Sequence, residues 1–204
     1  MGRPKQQDAR RDELVRAARA AILARGLKET RVRDVADQAG VATGTVTYYF
    51  RELDDLFDLV YAEAVERFCT AREQDAAGRS DSREQLAAVL RSGLPTGPDD
   101  ELCCLLYEFS PQARQRASDA TLRRELYGRQ VGLYVRLLTA GEEAGHFRLQ
   151  RPAAEIAANL VALEDAYGYH VIAQTFMTRQ TAEQHLFGYA SLATGGHAFL
   201  APES

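Results

Sequence analysis

Thr30-Arg-Val-Arg-Asp-Val-Ala-Asp-Gln-Ala-Gly-Val-Ala-Thr-Gly-Thr-Val-Thr-Tyr-Tyr-Phe50, followed by Arg-Glu-Leu-Asp-Asp-Leu56, is the stretch that decides the fold. Val32, Val35, Ala36 and Ala39 recur at spacings of three and four and predict a short helix, with Thr30 as its N-cap and Gly40 as its stop. A second short helix is expected from a cap at Thr43, with Val46, Tyr49 and Phe50 inward. Gly40 permits a sharp turn, Ala36, Ala39 and Gly44 allow close helix approach, and Val41 plugs the junction. Such a helix, turn and helix can lay its second helix in the major groove of duplex DNA while the first crosses the backbone. On the outward side lie Thr43, Thr45, Thr47 and Tyr48, whose hydroxyls reach base edges and whose threonine methyls touch thymine. Thr30, Arg31, Arg33 and Tyr49 are placed for phosphates, which position a protein without reading sequence.

Upstream, Leu14, Ala18, Ala21 and Ile22 form one helical stripe that ends at Gly26, with Leu27 available for the accompanying apolar contact. Downstream, Leu53, Phe57, Val60, Ala64 and Phe68 continue as a long amphipathic helix to about Gln74. Polar stretches at Asp75 to Asp81 and Gly93 to Asp100 bracket a helix around Leu86 to Leu90. Further helices are expected at about 101–110, 118–144, 152–177 and 181–194, with Pro152 at a first helical position and Gly145 behind a helix end. Alternation at two is nowhere sustained, so the expected class is all-α: a helix-turn-helix domain over residues 1–52 and a helical regulatory, ligand-binding and dimerisation domain over 53–204.

The net charge of −4 is unevenly spread. Residues 1–51 hold eleven Lys and Arg against six Asp and Glu, whereas residues 52–204 hold fourteen against twenty-three. The basic end is the one that suits nucleic acid. Composition is that of a soluble globular chain, no apolar run is long enough for a membrane span, and the polar N-terminal stretch lacks the apolar segment of a secretory signal. With three cysteines, an odd number, the expectation is a reducing, cytoplasmic setting.

Thr30, Val35-Ala36, Ala39-Gly40-Val41, Gly44, Val46, Tyr49-Phe50 and Leu56 together resemble the N-terminal pattern of the TetR family in residue type and spacing, over about the first 60 residues. The resemblance implies a DNA-binding transcriptional regulator, a repressor released from a palindromic double-stranded operator by a small-molecule inducer. It also implies a homodimer in which the long fourth helix is the lever, over Leu56 to Phe68. Two positions depart from the pattern. Leu53 stands where the family usually has lysine, with Arg51 as a replacement phosphate contact, and Thr47 stands where tyrosine is common. Gly2-Arg3-Pro4-Lys5 is a candidate arm for the adjacent minor groove.

In the C-terminal part, acidic residues interrupt apolar runs at Glu108 and at Glu164-Asp165. Glu108 and Glu164 facing one cavity with Phe68, Tyr107, Phe109, Tyr134 and Tyr167 would suit a cationic, partly aromatic inducer. A core or intersubunit salt bridge to Arg123, Arg129 or Arg136 explains the acids equally well. Cys69, Cys103 and Cys104 read either as small buried hydrophobes or as a sensor. His146, His170, His185 and His197 lack metal-ligand spacing, and no nucleophilic triad or phosphate loop is present, so neither an enzyme nor a cofactor is expected. Ala157, Val161, Gly168 and Ile172, with Leu186, Ala190 and Ala193, are the expected dimer faces. A helical ligand-binding or scaffold protein without DNA-binding activity is the alternative.

Overall fold

A computed structural model describes residues 3–110 and 117–196. Its helices are α1 (Arg3–Arg25), α2 (Val32–Ala39), α3 (Thr43–Tyr49), α4 (Leu53–Ala77), α5 (Ser82–Ser92), α6 (Glu101–Phe109), α7 (Ala117–Glu143), α8 (Ala153–Ile172) and α9 (Arg179–Ala193), and no strand occurs among the described residues. The all-α expectation holds. None of these helices is long and apolar enough to cross a membrane.

The chain divides into two compact units, one of Met1–Glu66 with Cys104–Arg123 and the other of Arg67–Cys103 with Arg124–Ser204. The break expected after residue 52 therefore does not coincide with the compact units, because the first turns of α4 and most of α6 group with the N-terminal helices.

In the first unit, α1 packs on α2 and α2 on α3. Leu14, Ala18, Ala21, Ile22, Val35, Ala36, Val46 and Leu56 are all buried, and hiding a leucine or isoleucine side chain stabilises the unit by about 1.5–3 kcal/mol. At the turn, Gly40 adopts φ 64°, a left-handed conformation that glycine enters without a side-chain penalty, and Val41 N donates to Ala36 O at 3.0 Å.

Both helix caps fall one residue away from their expected places. Arg31, not Thr30, is the N-cap of α2, and its backbone N–H donates to the Asp34 carboxylate at 2.8 Å. Thr30 is buried and its hydroxyl donates to Gly26 O at 2.8 Å. Ala42 is the N-cap of α3, so Thr43 is already helical. Because α1 starts at Arg3, Arg3, Pro4 and Lys5 belong to a helix and not to an extended arm, while Gly2 lies outside the described residues.

The second unit buries Leu86, Leu90, Leu133, Leu138, Ile156, Leu160 and Leu186 in one cluster, with α9 packed on both α5 and α8. Ala157, Val161, Ala190 and Ala193 also belong to it, and Gly168 is buried. These residues fill the chain's own core and are not the outward dimer face expected of them. Helix α8 stops at Ile172, five residues early, because Gln174 turns to φ 50° and Thr175 N donates to His170 O at 3.2 Å. Pro152 is its N-cap and not its first helical residue.

A Cβ at Gly141 would overlap the buried Phe147 ring. Gly141→Ala is therefore expected to lower stability by about 1–3 kcal/mol, measured by chemical unfolding; an unchanged midpoint would show that Phe147 yields without cost.

Candidate nucleic-acid interface and ligand cavity

Helix α3 turns Val46 into the core and leaves Thr43, Gly44, Thr47 and Tyr48 exposed. Tyr48 is the most open of them at 73%, and its ring meets Tyr49 edge-on with centroids 5.2 Å apart. Thr45 and Tyr49 are half-buried. The Thr47 hydroxyl donates back to Gly44 O at 3.2 Å, which leaves its methyl and its acceptor lone pairs facing outward. A Cβ at Gly44 would meet nothing within 4 Å, so this glycine keeps the exposed face low and has no part in packing α3 on α2.

The basic residues sort differently from the sequence reading. Arg33 is exposed and near Asp37 at 3.8 Å, and Arg51 is exposed beyond the end of α3. Arg31 is exposed, but its Nη1 folds onto Lys28 O at 2.5 Å and Thr30 O at 3.2 Å. Thr30 offers no side-chain hydroxyl to a phosphate, since that group is buried and already used. Sequence reasoning missed Arg11. Its guanidinium lies 4.6 Å from the centre of the Phe50 ring and donates to Tyr49 O at 3.4 Å, which fixes a cation beside the C-terminal end of α3. Only the excess of basic residues near the N-terminus hinted at such a contact.

The seven residues expected around one cavity fall in both units: Tyr107, Glu108 and Phe109 in the first, and Phe68, Tyr134, Glu164 and Tyr167 in the second. Glu108 is exposed, and its carboxylate accepts from Leu27 N at 2.9 Å, closing the turn after α1. Phe109 is buried, with its ring stacked on Tyr61 at 4.5 Å, and Tyr107 is half-buried on the same helix. In the second unit, Tyr167 is half-buried and edge-on to His185 at 5.9 Å.

Glu164 is buried as expected, but its partner is Arg72, which was not anticipated. Arg72 Nη2 donates to Glu164 Oε1 at 2.7 Å, to Tyr134 OH at 3.1 Å and to Val89 O at 3.1 Å, and Nη1 donates to Gln130 Oε1 at 2.6 Å. The Tyr134 hydroxyl donates in turn to Glu164. Burial and then the Glu164 carboxylate push the Tyr134 phenol well above its ordinary range. Burial pulls the Arg72 guanidinium down, but Glu164, Tyr134 and Cys69 together outweigh burial and hold Arg72 above its ordinary value. Burial also pushes Glu164 itself upward against the pull of Arg72. The short bonds to a guanidinium and a phenol favour the ionised carboxylate as acceptor. Glu164 is thus satisfied from within the chain and does not wait for a cationic ligand.

Beside this network lies a cavity of about 350 Å³, within the second unit. It is lined by Phe68, Ala71, Arg72, Asp75 and Arg79 of α4, Ala88, Arg91 and Ser92 of α5, Leu94, Thr96 and Asp100 of the following loop, Leu102 and Cys103 of α6, and Arg179 of α9. Of the seven expected ligand residues only Phe68 contributes. Among the described residues no cluster of His, Cys, Asp and Glu could hold a metal ion.

A three-helix unit with a glycine turn, an exposed second helix and adjacent arginines defines the class of helix-turn-helix DNA-binding proteins. Residues 14–60 match the family of bacterial regulatory proteins, tetR family. The HTH-type transcriptional repressor KstR2 of Mycobacterium tuberculosis is 25% identical over 144 residues, covering 70% of this chain and 72% of the repressor. Residues 14–60 are therefore a TetR-family N-terminal domain, and the chain is similar to regulators of that family over 70% of its length.

Among solved structures, a transcriptional regulator of Saccharomonospora viridis in complex with choline superimposes with a TM-score of 0.83 at 22% identity, covering 90% of this chain and 96% of the other. The transcriptional regulator FadR of Bacillus subtilis in complex with stearoyl-CoA gives 0.69 at 19% identity, covering 91% and 98%.

Proposed function

We propose that this protein is a transcriptional repressor that reads duplex operator DNA with α3 and is released by a small molecule held in its second unit. The observation that carries the reading is the α2–turn–α3 unit. Val46 and Phe50 anchor α3 in the core while Thr43, Thr47 and Tyr48 stand outward with Arg11, Arg33 and Arg51 nearby. Threonine and tyrosine hydroxyls suit base edges, and the guanidinium groups suit phosphates.

The protein acts as a homodimer on a two-fold operator. With Ala157, Gly168, Ala190 and Ala193 buried in the core, the surface available for pairing is the outward one, carrying Ala162, Ala166 and Tyr169 of α8 and Gly188 and Leu192 of α9. Tyr169 and Leu192 are 56% and 75% exposed, and covering such side chains favours a second copy.

A ligand can displace DNA only by preferring the arrangement that does not bind it, and about 1.4 kcal/mol of preference shifts the balance tenfold. The named neighbours hold choline in one case and stearoyl-CoA in the other, so this fold accommodates ligands of opposite charge. The lining of this chain's own cavity bears on which of the two it resembles.

The test is a gel shift and footprint on DNA upstream of the protein's own coding sequence, at fixed salt because phosphate contacts make affinity salt-dependent. A protected two-fold site is expected. Equal affinity for that DNA and for random duplex would favour the scaffold reading and overturn this one.

A further inference from the structure

The repressor reading leaves the ligand's chemistry open, and the cavity carries a statement about it. Four arginines are among its lining residues, Arg72, Arg79, Arg91 and Arg179, against two acidic residues, Asp75 and Asp100, and Arg72 is already paired with Glu164. The Asp100 carboxylate is already engaged: it accepts from Thr96 N and Thr96 Oγ1, both at 2.9 Å, and from Cys103 N at 3.0 Å. Arg91 is matched by Glu183 at 3.1 Å. Arg79 and Arg179 are not matched in this way. Among the described residues Arg79 donates to Asp75 O and Arg179 to Pro95 O at 2.8 Å, both uncharged backbone carbonyls. Their positive charge at the cavity is uncompensated by those bonds.

A second, independent observation concerns Arg72. This lining residue is buried, and although its Nη atoms are saturated, its Nε has no hydrogen-bond partner among the described residues. The Arg72 guanidinium thus keeps one donor unused beside the cavity. Between the arginines the wall is apolar, formed by Phe68, Leu94 and Leu102 among others.

Resting on the reading of this protein as a ligand-released repressor, we infer that the cavity binds an amphiphilic organic anion, a carboxylate or phosphate head held by arginines with an apolar body along the wall. A cation placed there meets Arg79 and Arg179, whose bonds go to uncharged carbonyls, whereas an anion gains charge-assisted bonds from them. At about 350 Å³ the cavity stands at the small end of ligand sites, which suits a short or medium apolar body. The inducer class expected from Glu108 and Glu164 is thereby reversed in sign.

The experiment is calorimetric titration of the full chain, without DNA and at near-physiological salt. Its probes share one alkyl chain: decanoate, decyl phosphate, decan-1-ol and decyltrimethylammonium, each below its micelle concentration. At least one anion is expected to bind about tenfold or more tightly than the alcohol, and the cation more weakly than the alcohol. Preference for decanoate over decyl phosphate, or the reverse, tells a carboxylate source from a phosphoester source, and either supports the inference.

The double variant Arg79→Gln/Arg179→Gln is expected to bring the anion's advantage over the alcohol down to about threefold. The exposed single change Arg79→Gln, read the same way, should lose part of that advantage and serves if the double variant does not fold. Equal binding of anion and alcohol, tighter binding of the cation, or an undiminished advantage in the variants would overturn the inference. Because no DNA is present, a protein that binds decanoate but no operator refutes only the repressor reading. One that binds operator but neither anion refutes only this inference.

Discussion

Replacing Glu164 with alanine is expected to destabilise the protein by about 3–5 kcal/mol, more than any other single change considered, because it strands the Arg72 guanidinium in a site that is 1% exposed. Three of the four bonds made by Arg72 go to uncharged groups, Gln130, Tyr134 and Val89, which orient the guanidinium without neutralising it. The Tyr134 hydroxyl would lose its acceptor in the same step. The backbone beside the pair is closed as well, since a Cβ at Gly93 would overlap the Glu164 carboxylate. Glu164→Gln keeps an acceptor oxygen of similar size and should cost less than the alanine. The double change Arg72→Met/Glu164→Leu, which removes both charges together, should recover much of the loss. Unfolding by denaturant, with the three variants compared against the unaltered chain, measures this. If the double variant were as unstable as Glu164→Ala, the cost would lie in lost packing and not in an unpaired charge.

That network also marks where reading along the chain stopped short. Arg72 sits in Thr70-Ala-Arg-Glu-Gln74, a polar stretch that reads as a solvated face, and its partner lies 92 positions away in a helix whose apolar run concealed the need for it. Glu108 misled in the opposite direction. It interrupts Leu105-Leu-Tyr-Glu-Phe109, but at 100° per residue it falls to the side of the stripe set by Leu105, Leu106 and Phe109, where it is exposed.

The α2–turn–α3 unit was legible because its determinants are local: a left-handed glycine, small residues and two short apolar stripes. Its caps were misplaced by one position, since Thr30 and Thr43 are the residue types that favour a cap while Arg31 and Ala42 occupy the cap positions. The dimer face failed for a related reason. Ala157, Val161, Leu186 and Ala190 look like surplus apolar surface until α5 and α7 are seen to contribute to the core that buries them. The cavity needed contributions from α4, α5, α6 and α9 at once, so no window of sequence contained it.

On the DNA-binding surface the largest effects are expected at Tyr48 and Arg11, and they should differ in kind. Tyr48 is 73% exposed on the outward face of α3, and removing its side chain costs the fold little, so a change in DNA binding reports contact and not unfolding. If its ring and hydroxyl meet base edges, Tyr48→Ala loses about 1–3 kcal/mol for the preferred operator, tenfold or more in affinity, and much less for random duplex. Arg11 is held by its cation–π contact with Phe50 and its bond to Tyr49 O, a position that suits a backbone phosphate at the end of α3. Arg11→Ala should then weaken all sequences alike and reduce the slope of log affinity against log salt by about one. Gel shifts on operator and random duplex across a salt series separate the two patterns. A uniform loss at Tyr48 together with a sequence-dependent loss at Arg11 would exchange their roles. No change at either would mean that α3 does not face the DNA, and the helix-turn-helix reading would then rest on architecture alone.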